Sequence, residues 1–152
     1  MTTHPLSIHG VRWLVALLLS LALAAGCTVE YVAERDRAVE EELLRLATEV
    51  DRFWVELLDT PAEERGYAAF RDDYNRIESD LRALVLRNEI RPLNAASTEQ
   101  AELLVAQWQD SRELHRDDDT YGEFRAKRHR DQFARMFRAM ARGEQAKQGG
   151  DD

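Results

Sequence analysis

The chain has 152 residues, of which 33% are charged and 44% hydrophobic, while 7 are glycine and 3 are proline. This length suits one domain, and the shortage of turn-forming residues favours long helices over a β fold or a disordered chain. The formal net charge of −8 argues against nucleic acid as a partner. The chain has one cysteine, which excludes a disulfide within the molecule.

The N-terminal 26 residues have the pattern of a secretory signal peptide. Arg12 comes before an apolar run at residues 13–23, and three small residues follow at 24–26. This run is shorter than the ~20 apolar residues that a membrane-spanning helix needs. A charged start, a short apolar run and a zone of small residues together predict that residues 1–26 are removed from the mature protein.

Residues 23–27, Leu-Ala-Ala-Gly-Cys, place the only cysteine directly after these small residues. The segment resembles the lipobox of bacterial lipoprotein precursors, and the resemblance covers residues 1–28. It implies cleavage between Gly26 and Cys27, lipidation of the Cys27 thiol with a diacylglycerol, and attachment to a membrane through that lipid. In an ordinary signal peptide, which is the alternative, Cys27 would have no such role. Thr28 in place of Asp after the cysteine implies an outer-membrane lipoprotein that faces the periplasm.

The rest of the chain, residues 27–148, contains four segments in which apolar residues recur with helical spacing. Their inward-facing stripes are Val39, Leu43, Leu46, Val50, Phe53 and Leu57; Tyr67, Phe70, Tyr74, Ile77, Leu81 and Leu84; Ala101, Leu104, Trp108, Ser111 and His115; and Ala126, His129, Phe133, Met136 and Met140. Short connections make neighbouring helices antiparallel. We therefore predict an all-α, antiparallel up-down bundle of four helices, with a three-helix bundle kinked at residues 117–119 as the alternative. Residues 149–152 are predicted to form a disordered tail.

Helix starts are predicted from capping boxes, in which a Ser or Thr is followed three residues later by Glu or Gln. Residues 60–63 and 97–100 match this pattern, and residues 120–123 open the fourth helix. From these starts the first two helices would each run about 30 residues, and the third, at residues 97–116, about 20.

These unequal lengths leave the connection at residues 50–70 uncovered by the third helix. At 1.5 Å per residue, this end of the bundle would project about 15 Å beyond that helix. An exposed apolar patch of such size marks an interaction site. We therefore predict an interaction surface formed by Phe53, Trp54, Leu57, Leu58, Tyr67 and Phe70. The alternative is that residues 113–121 fold over this end and complete the core.

No motif of a catalytic or cofactor site occurs in the sequence. Di-iron bundles use Glu-x-x-His pairs and c-type haems use Cys-x-x-Cys-His, and both patterns are missing. His115 and His129 lie on inward stripes, but hairpin geometry separates them by about 10 Å along the bundle, too far for one shared metal ion. We therefore predict no catalytic residue, no metal site and no cofactor. Both histidines, like Trp54 and Trp108, are predicted to be core residues.

The last helix is predicted to be basic, because residues 121–147 hold eight Arg or Lys against three Asp or Glu. Two interpretations follow from this charge. In the first, the helix packs against the acidic start of the first helix, at residues 30–42. In the second, Arg135, Arg138 and Arg142 contact anionic lipid, where each basic side chain near the surface contributes about 1 kcal/mol.

These features predict a membrane-anchored envelope lipoprotein whose bundle is a structural or protein-interaction module without catalytic activity. The expected partners are the membrane, through the lipid on Cys27, and either another envelope protein or a second copy of the chain. The alternative is a periplasmic helical bundle that binds a small ligand or a metal ion.

Overall fold

The computed structural model describes residues 33–147. They form four α-helices, α1 (Arg37–Asp59), α2 (Tyr67–Glu89), α3 (Ala95–Asp118) and α4 (Glu123–Ala146), with a short 3₁₀ turn at Ala62–Glu64. This part of the chain contains no strand, so the predicted all-α, four-helix arrangement is confirmed. Among these helices, none is both long and apolar enough to cross a membrane. The signal peptide, the cleavage and lipidation site at Gly26 and Cys27, and the tail at residues 149–152 lie outside the described residues.

The helices form two closely packed pairs that join into one bundle. α1 packs most extensively against α4, and α2 against α3, while contacts of α1 with α2 and of α3 with α4 close the ring. The end that holds the start of α1, the α2–α3 turn and the end of α4 is called the base, and the opposite end is called the tip. The three-helix alternative is wrong because Asp119, with a left-handed φ of 47°, ends α3.

The inward stripes predicted from the sequence form the core. All of their residues are buried except Tyr67 and Met136, which are half-buried against the core. Trp54 and Trp108 are fully buried with ring centroids 6.1 Å apart, which confirms that both are core residues. Because large aromatic rings bury more apolar surface than other side chains, this pair contributes strongly to the hydrophobic stabilisation of the bundle.

The predicted interaction surface at the tip is wrong. Of its six residues, four are at most 4% exposed and two are half-buried: Phe53, Trp54, Leu57 and Phe70, then Leu58 and Tyr67. The error comes from the helix lengths, because α1 and α2 have 23 residues and α3 and α4 have 24. With equal lengths nothing projects, and Tyr121 from the α3–α4 turn packs 5.3 Å from the Trp54 ring. The alternative, in which this segment completes the core, is the correct one.

Both predicted capping boxes are also wrong. Thr60 ends α1 instead of beginning α2, and its hydroxyl donates to the Glu56 carbonyl at 2.8 Å. Ser97 lies within the first turn of α3, which already begins after Asn94. A capping box acts only where the chain turns into a helix. Here the chain turns at Gly66 and Asn94, neither of which makes a side-chain cap of its own.

Two side chains at the tip cap helix ends from outside those helices. Asp119 Oδ1 accepts the Tyr67 N–H at 2.9 Å and so caps the start of α2. The buried Arg65 guanidinium donates to the Leu58 carbonyl at 2.8 Å and the Thr60 carbonyl at 2.7 Å, at the end of α1. A cation is stabilising there because the carbonyl end of a helix carries partial negative charge.

We expect Trp54→Phe to cost less stability than Trp108→Phe. Both side chains are fully buried, so the loss of volume is matched. Trp108 Nε1 donates to the Tyr74 carbonyl at 3.0 Å, whereas Trp54 Nε1 has no hydrogen-bond partner within residues 33–147. Because only Trp108→Phe breaks a hydrogen bond, the two free energies of unfolding in urea should differ by about 1–2 kcal/mol. Equal losses at the two positions would contradict this account.

Candidate interaction site

His129 belongs to a hydrogen-bonded group inside the bundle. Its Nδ1 lies 2.6 Å from the Tyr121 hydroxyl and 3.0 Å from Ser111 Oγ. Ser111 donates its one hydroxyl proton to the Gln107 carbonyl at 2.8 Å, so Tyr121 is the donor to Nδ1 when the imidazole is neutral with its proton on Nε2. Burial lowers the pKa of His129, and the nearby Arg125 and Arg128 guanidinium groups lower it further.

His115 is enclosed nearer the tip. Its Nε2 donates to the Arg65 carbonyl at 2.9 Å, and its Nδ1 lies 3.3 Å from the Tyr74 hydroxyl. Burial lowers the pKa of His115, although the Arg65 carbonyl opposes this by favouring the protonated ring. The prediction that His115 and His129 are hydrogen-bonded core residues is therefore confirmed.

These core groups bond to one another and leave little room for chemistry. Burial raises the pKa of both Tyr74 and Tyr121, which keeps these hydroxyls protonated. Within residues 33–147, no three His, Cys, Asp or Glu side chains are grouped so that they could hold a metal ion.

A buried polar cluster ties the N-terminal segment to the base. The Glu144 carboxylate accepts the Asp36 N–H at 2.8 Å and hydrogen bonds from Arg91 and Lys147. Lys147 Nζ also donates to Asn94 Oδ1 at 2.7 Å. Although burial opposes it, hydrogen bonds from Lys147, Asp36 and Arg91 lower the pKa of Glu144. The segment that leads into α1 is thus held against α3 and α4 by charged hydrogen bonds, which are stronger than neutral ones.

The turn between α2 and α3, also at the base, exposes apolar side chains. Leu86, Ile90 and Leu93 are 59%, 74% and 58% exposed. Leu93 has a left-handed φ of 57°, a conformation that glycine or asparagine adopts at lower cost. An exposed leucine in this conformation contributes neither core packing nor a favourable backbone preference, which points to a role outside the fold.

A groove of about 490 Å³ runs between α1 and α4. Its lining residues include Leu43, Leu44, Ala47, Phe133, Phe137 and Ala141. Leu44 is 58% exposed at its edge, and Arg130 Nε on one side bonds Asp51 on the other at 2.6 Å. The small alanine side chains leave space for this groove between two helices that otherwise pack closely.

The predicted arginines of α4 face solvent. Arg128, Arg135, Arg138 and Arg142 are exposed and form no ion pair with any residue in the 33–147 range. We call these four residues the basic face. The first interpretation of the charge is therefore wrong for them: α4 does pack against α1, but the acid of α1 that pairs with α4 is Asp51, through Arg130.

An acidic surface on α3 was not predicted from the sequence. Glu99, Glu102, Asp110 and Glu113 are exposed, and we call them the acidic face. Their only ion pair in the described part of the chain is a 4.0 Å contact between Glu113 and Arg116. Leu103 and Leu114 are exposed on the same helix. A helical wheel of residues 95–118 could have revealed the acidic face, because residues three or four apart share one side of a helix.

We expect the stability of the bundle to fall as the pH decreases from 7 to 5. Burial lowers the pKa values of His115 and His129 from the ordinary histidine value of 6.5, so the unfolded chain binds protons more readily than the native state in this range. Their contribution to stability is complete above pH 6.5 and is lost below it, by up to about 1.4 kcal/mol per pH unit for each histidine. Urea titrations at several pH values measure this slope.

The control is the double variant His115→Gln with His129→Asn. These amides can replace the Nε2 and Nδ1 hydrogen bonds but do not titrate. We expect the variant to have a flatter dependence of unfolding free energy on pH between 7 and 5. An unchanged slope would mean that groups other than these histidines cause the loss of stability. Glu78 and Glu144 would not be those groups, because their lowered pKa values affect the unfolding free energy only below pH 4.5.

Comparison of the chain with protein-family models, with curated proteins and with solved structures finds no match. The chain's own residues therefore have to indicate the function. The distinctive features of its surface are the apolar turn at the base, the groove between α1 and α4, and the two oppositely charged faces.

Proposed function

We propose that the protein is a lipoprotein of the bacterial cell envelope, attached to the outer membrane by a lipid on Cys27 and facing the periplasm. Its bundle is a structural or protein-interaction module without catalytic activity. The resemblance of residues 23–27 to a lipobox supports the anchor. The bundle supports the second part, because His115 and His129 are hydrogen-bonded inside it while its unpaired charges lie on outer faces.

The observation that carries this proposal is the exposed apolar turn at the base. Ala33 donates its N–H to the Leu93 carbonyl at 2.9 Å, so the chain that comes from Cys27 joins the bundle beside that turn. Six residues of chain from Cys27 to Ala33 span at most about 20 Å. A lipid on Cys27 therefore holds Ile90 and Leu93 near the membrane, where exposed apolar side chains are stabilised by burial at the headgroup boundary.

With the base on the membrane, the sides of the bundle are free for a protein partner. Arg135, Arg138 and Arg142 follow the helix axis over about 10 Å. An upright bundle presents this row sideways, where it suits a neighbouring protein. Contact of all three arginines with anionic lipid requires the bundle to lie on its side. Spin labels distinguish the upright orientation from this one.

Replacing Cys27 with Ser tests the anchor, because serine lacks the thiol that receives the lipid. Wild-type protein should incorporate labelled palmitate and float with membranes in a density gradient. We expect Cys27→Ser to lose the label, and either to leave the membrane fraction or to keep residues 1–26. The matched control is Thr28→Ser, which should be lipidated normally. A Cys27→Ser protein that lacks residues 1–26 and still floats with membranes would contradict the proposal.

Spin labels test the orientation of the bundle. Once Cys27 is lipidated, an introduced cysteine is the only free thiol. A spin label at Ile90→Cys should lie within the membrane. Dissolved oxygen reaches it there, whereas a water-soluble nickel reagent does not. Phe124→Cys, an apolar residue 81% exposed at the tip, is the matched control and should stay accessible to nickel. Ala139→Cys, beside the basic face, should also stay accessible.

Two results would contradict the upright orientation. If the label at position 139 is shielded and that at position 90 is not, the bundle lies on its side with the basic face on lipid. If neither label is shielded in a protein that floats with membranes, the base turn does not reach the membrane.

A further inference from the structure

The acidic face of α3 and the basic face of α4 match along the bundle axis. Ser111 contacts His129 at 3.0 Å, and Gln107 contacts Gln132. Because α3 and α4 are antiparallel, a step toward the C-terminus along α3 corresponds to an equal step toward the N-terminus along α4. Extending this correspondence shows that two exposed pairs of opposite charge lie level: Glu99 with Arg142, and Glu113 with Arg128. Each of these two acids thus lies as far along the bundle axis as its arginine does.

These level charges do not pair within one molecule, because both sets point outward. The seam between α3 and α4 is occupied by other side chains, among them Gln107, Ser111, His129 and Gln132. The charged residues lie on the outward side of each helix, and none of them forms an ion pair between α3 and α4 in the described structure. Two adjacent helices therefore present opposite, uncompensated charges to whatever packs against this side.

The symmetry of a dimer decides which helices of the two copies face each other. A twofold axis parallel to the helices places α3 of one copy beside α4 of the other, with level residues kept level. Each acidic face then meets a basic face. A twofold axis across the helices instead brings like charges together, which is repulsive. The charge pattern favours the parallel arrangement, in which both N-terminal segments point toward the same membrane.

We propose that the partner of the bundle is a second copy of the chain, bound side to side through α3 and α4 in a parallel twofold dimer. This inference deepens the proposed function and rests on it, because anchoring in one membrane holds the copies parallel. Confinement to a surface also raises their effective concentration, so that a modest interface is sufficient.

The α3/α4 side has an apolar centre for this contact. Leu103 is 57% exposed and Leu114 is 42% exposed. Leu103 is nearly level with Ala139 of α4, and Gly143 follows one turn closer to the base, so a leucine of the second copy can pack over small residues. Helices of 24 residues are about 36 Å long, and two of them side by side cover about 700 Å² per copy. The total of about 1,400 Å² is within the range of stable interfaces.

Charge reversal tests the dimer in the lipidated full-length protein. Phe124→Cys carries a donor or acceptor dye at the tip, and energy transfer in vesicles reports association. The acid variant is Glu99→Arg with Glu113→Arg, and the base variant is Arg128→Glu with Arg142→Glu. We expect each alone to weaken dimerisation at least about tenfold, because the contacts of Glu99 with Arg142 and of Glu113 with Arg128 become repulsive. Mixing the two variants should restore association, since each acidic or basic face then meets its opposite.

Two controls separate charge complementarity from other effects. The four changes combined in one chain should also restore the dimer. Glu41→Arg with Glu56→Arg, two exposed acids on α1, should associate like wild type. The proposal is overturned if lipidated wild type shows no transfer above random collisions, if either variant alone associates normally, or if mixing does not restore transfer. Flotation and palmitate labelling of the same samples show whether the anchor itself, and so the proposed function, has failed.

Discussion

The near-equal length of the four helices is the constraint on which the rest of this structure depends. Because each helix covers its neighbours from base to tip, the inward stripes are buried over their whole length. Phe53, Trp54 and Phe70 would be exposed beside a shorter α3, whereas here they pack with Trp108 and Tyr121 in one aromatic core. These residues of the tip are therefore part of the core, which is why the proposed contacts are placed at the sides of the bundle and at the base turn.

Charged hydrogen bonds then fix the ends of the helices. Buried charges are costly unless they are paired, and each one here has several partners. At the tip, Arg65 bonds the last carbonyls of α1, and Asp119 caps α2. At the base, Glu144 and Lys147 join the N-terminal segment to α3 and α4. These bonds therefore hold the first described residues, just before α1, against the base of the bundle.

The outer charges are segregated by helix. α1 and α2 neutralise many of their charges among themselves, as in the pairs that Arg45 and Arg76 form with Glu49. Across the residues that the structure describes, the acidic face of α3 and the basic face of α4 instead form no ion pair with each other. Ion pairs between these exposed residues would contribute little to the stability of a monomer. Their separation matters instead for the orientation in which another molecule can approach.

The sequence by itself determined the helical class and the inward stripes, because the 3.6-residue spacing of apolar residues depends only on their order along the chain. It left three and four helices open, and the left-handed φ of Asp119 decided for four. It also identified the α4 arginines and predicts the anchor at Cys27. It does not show which surface of each helix faces which neighbouring helix. Only the tertiary structure decided the helix ends and the burial of the tip. The cap that Asp119 provides to Tyr67 joins residues 52 positions apart, and such a contact leaves no local pattern to read. Likewise, the left-handed turn at Leu93 carries a leucine where a sequence pattern expects glycine or asparagine, so only the folded backbone shows it.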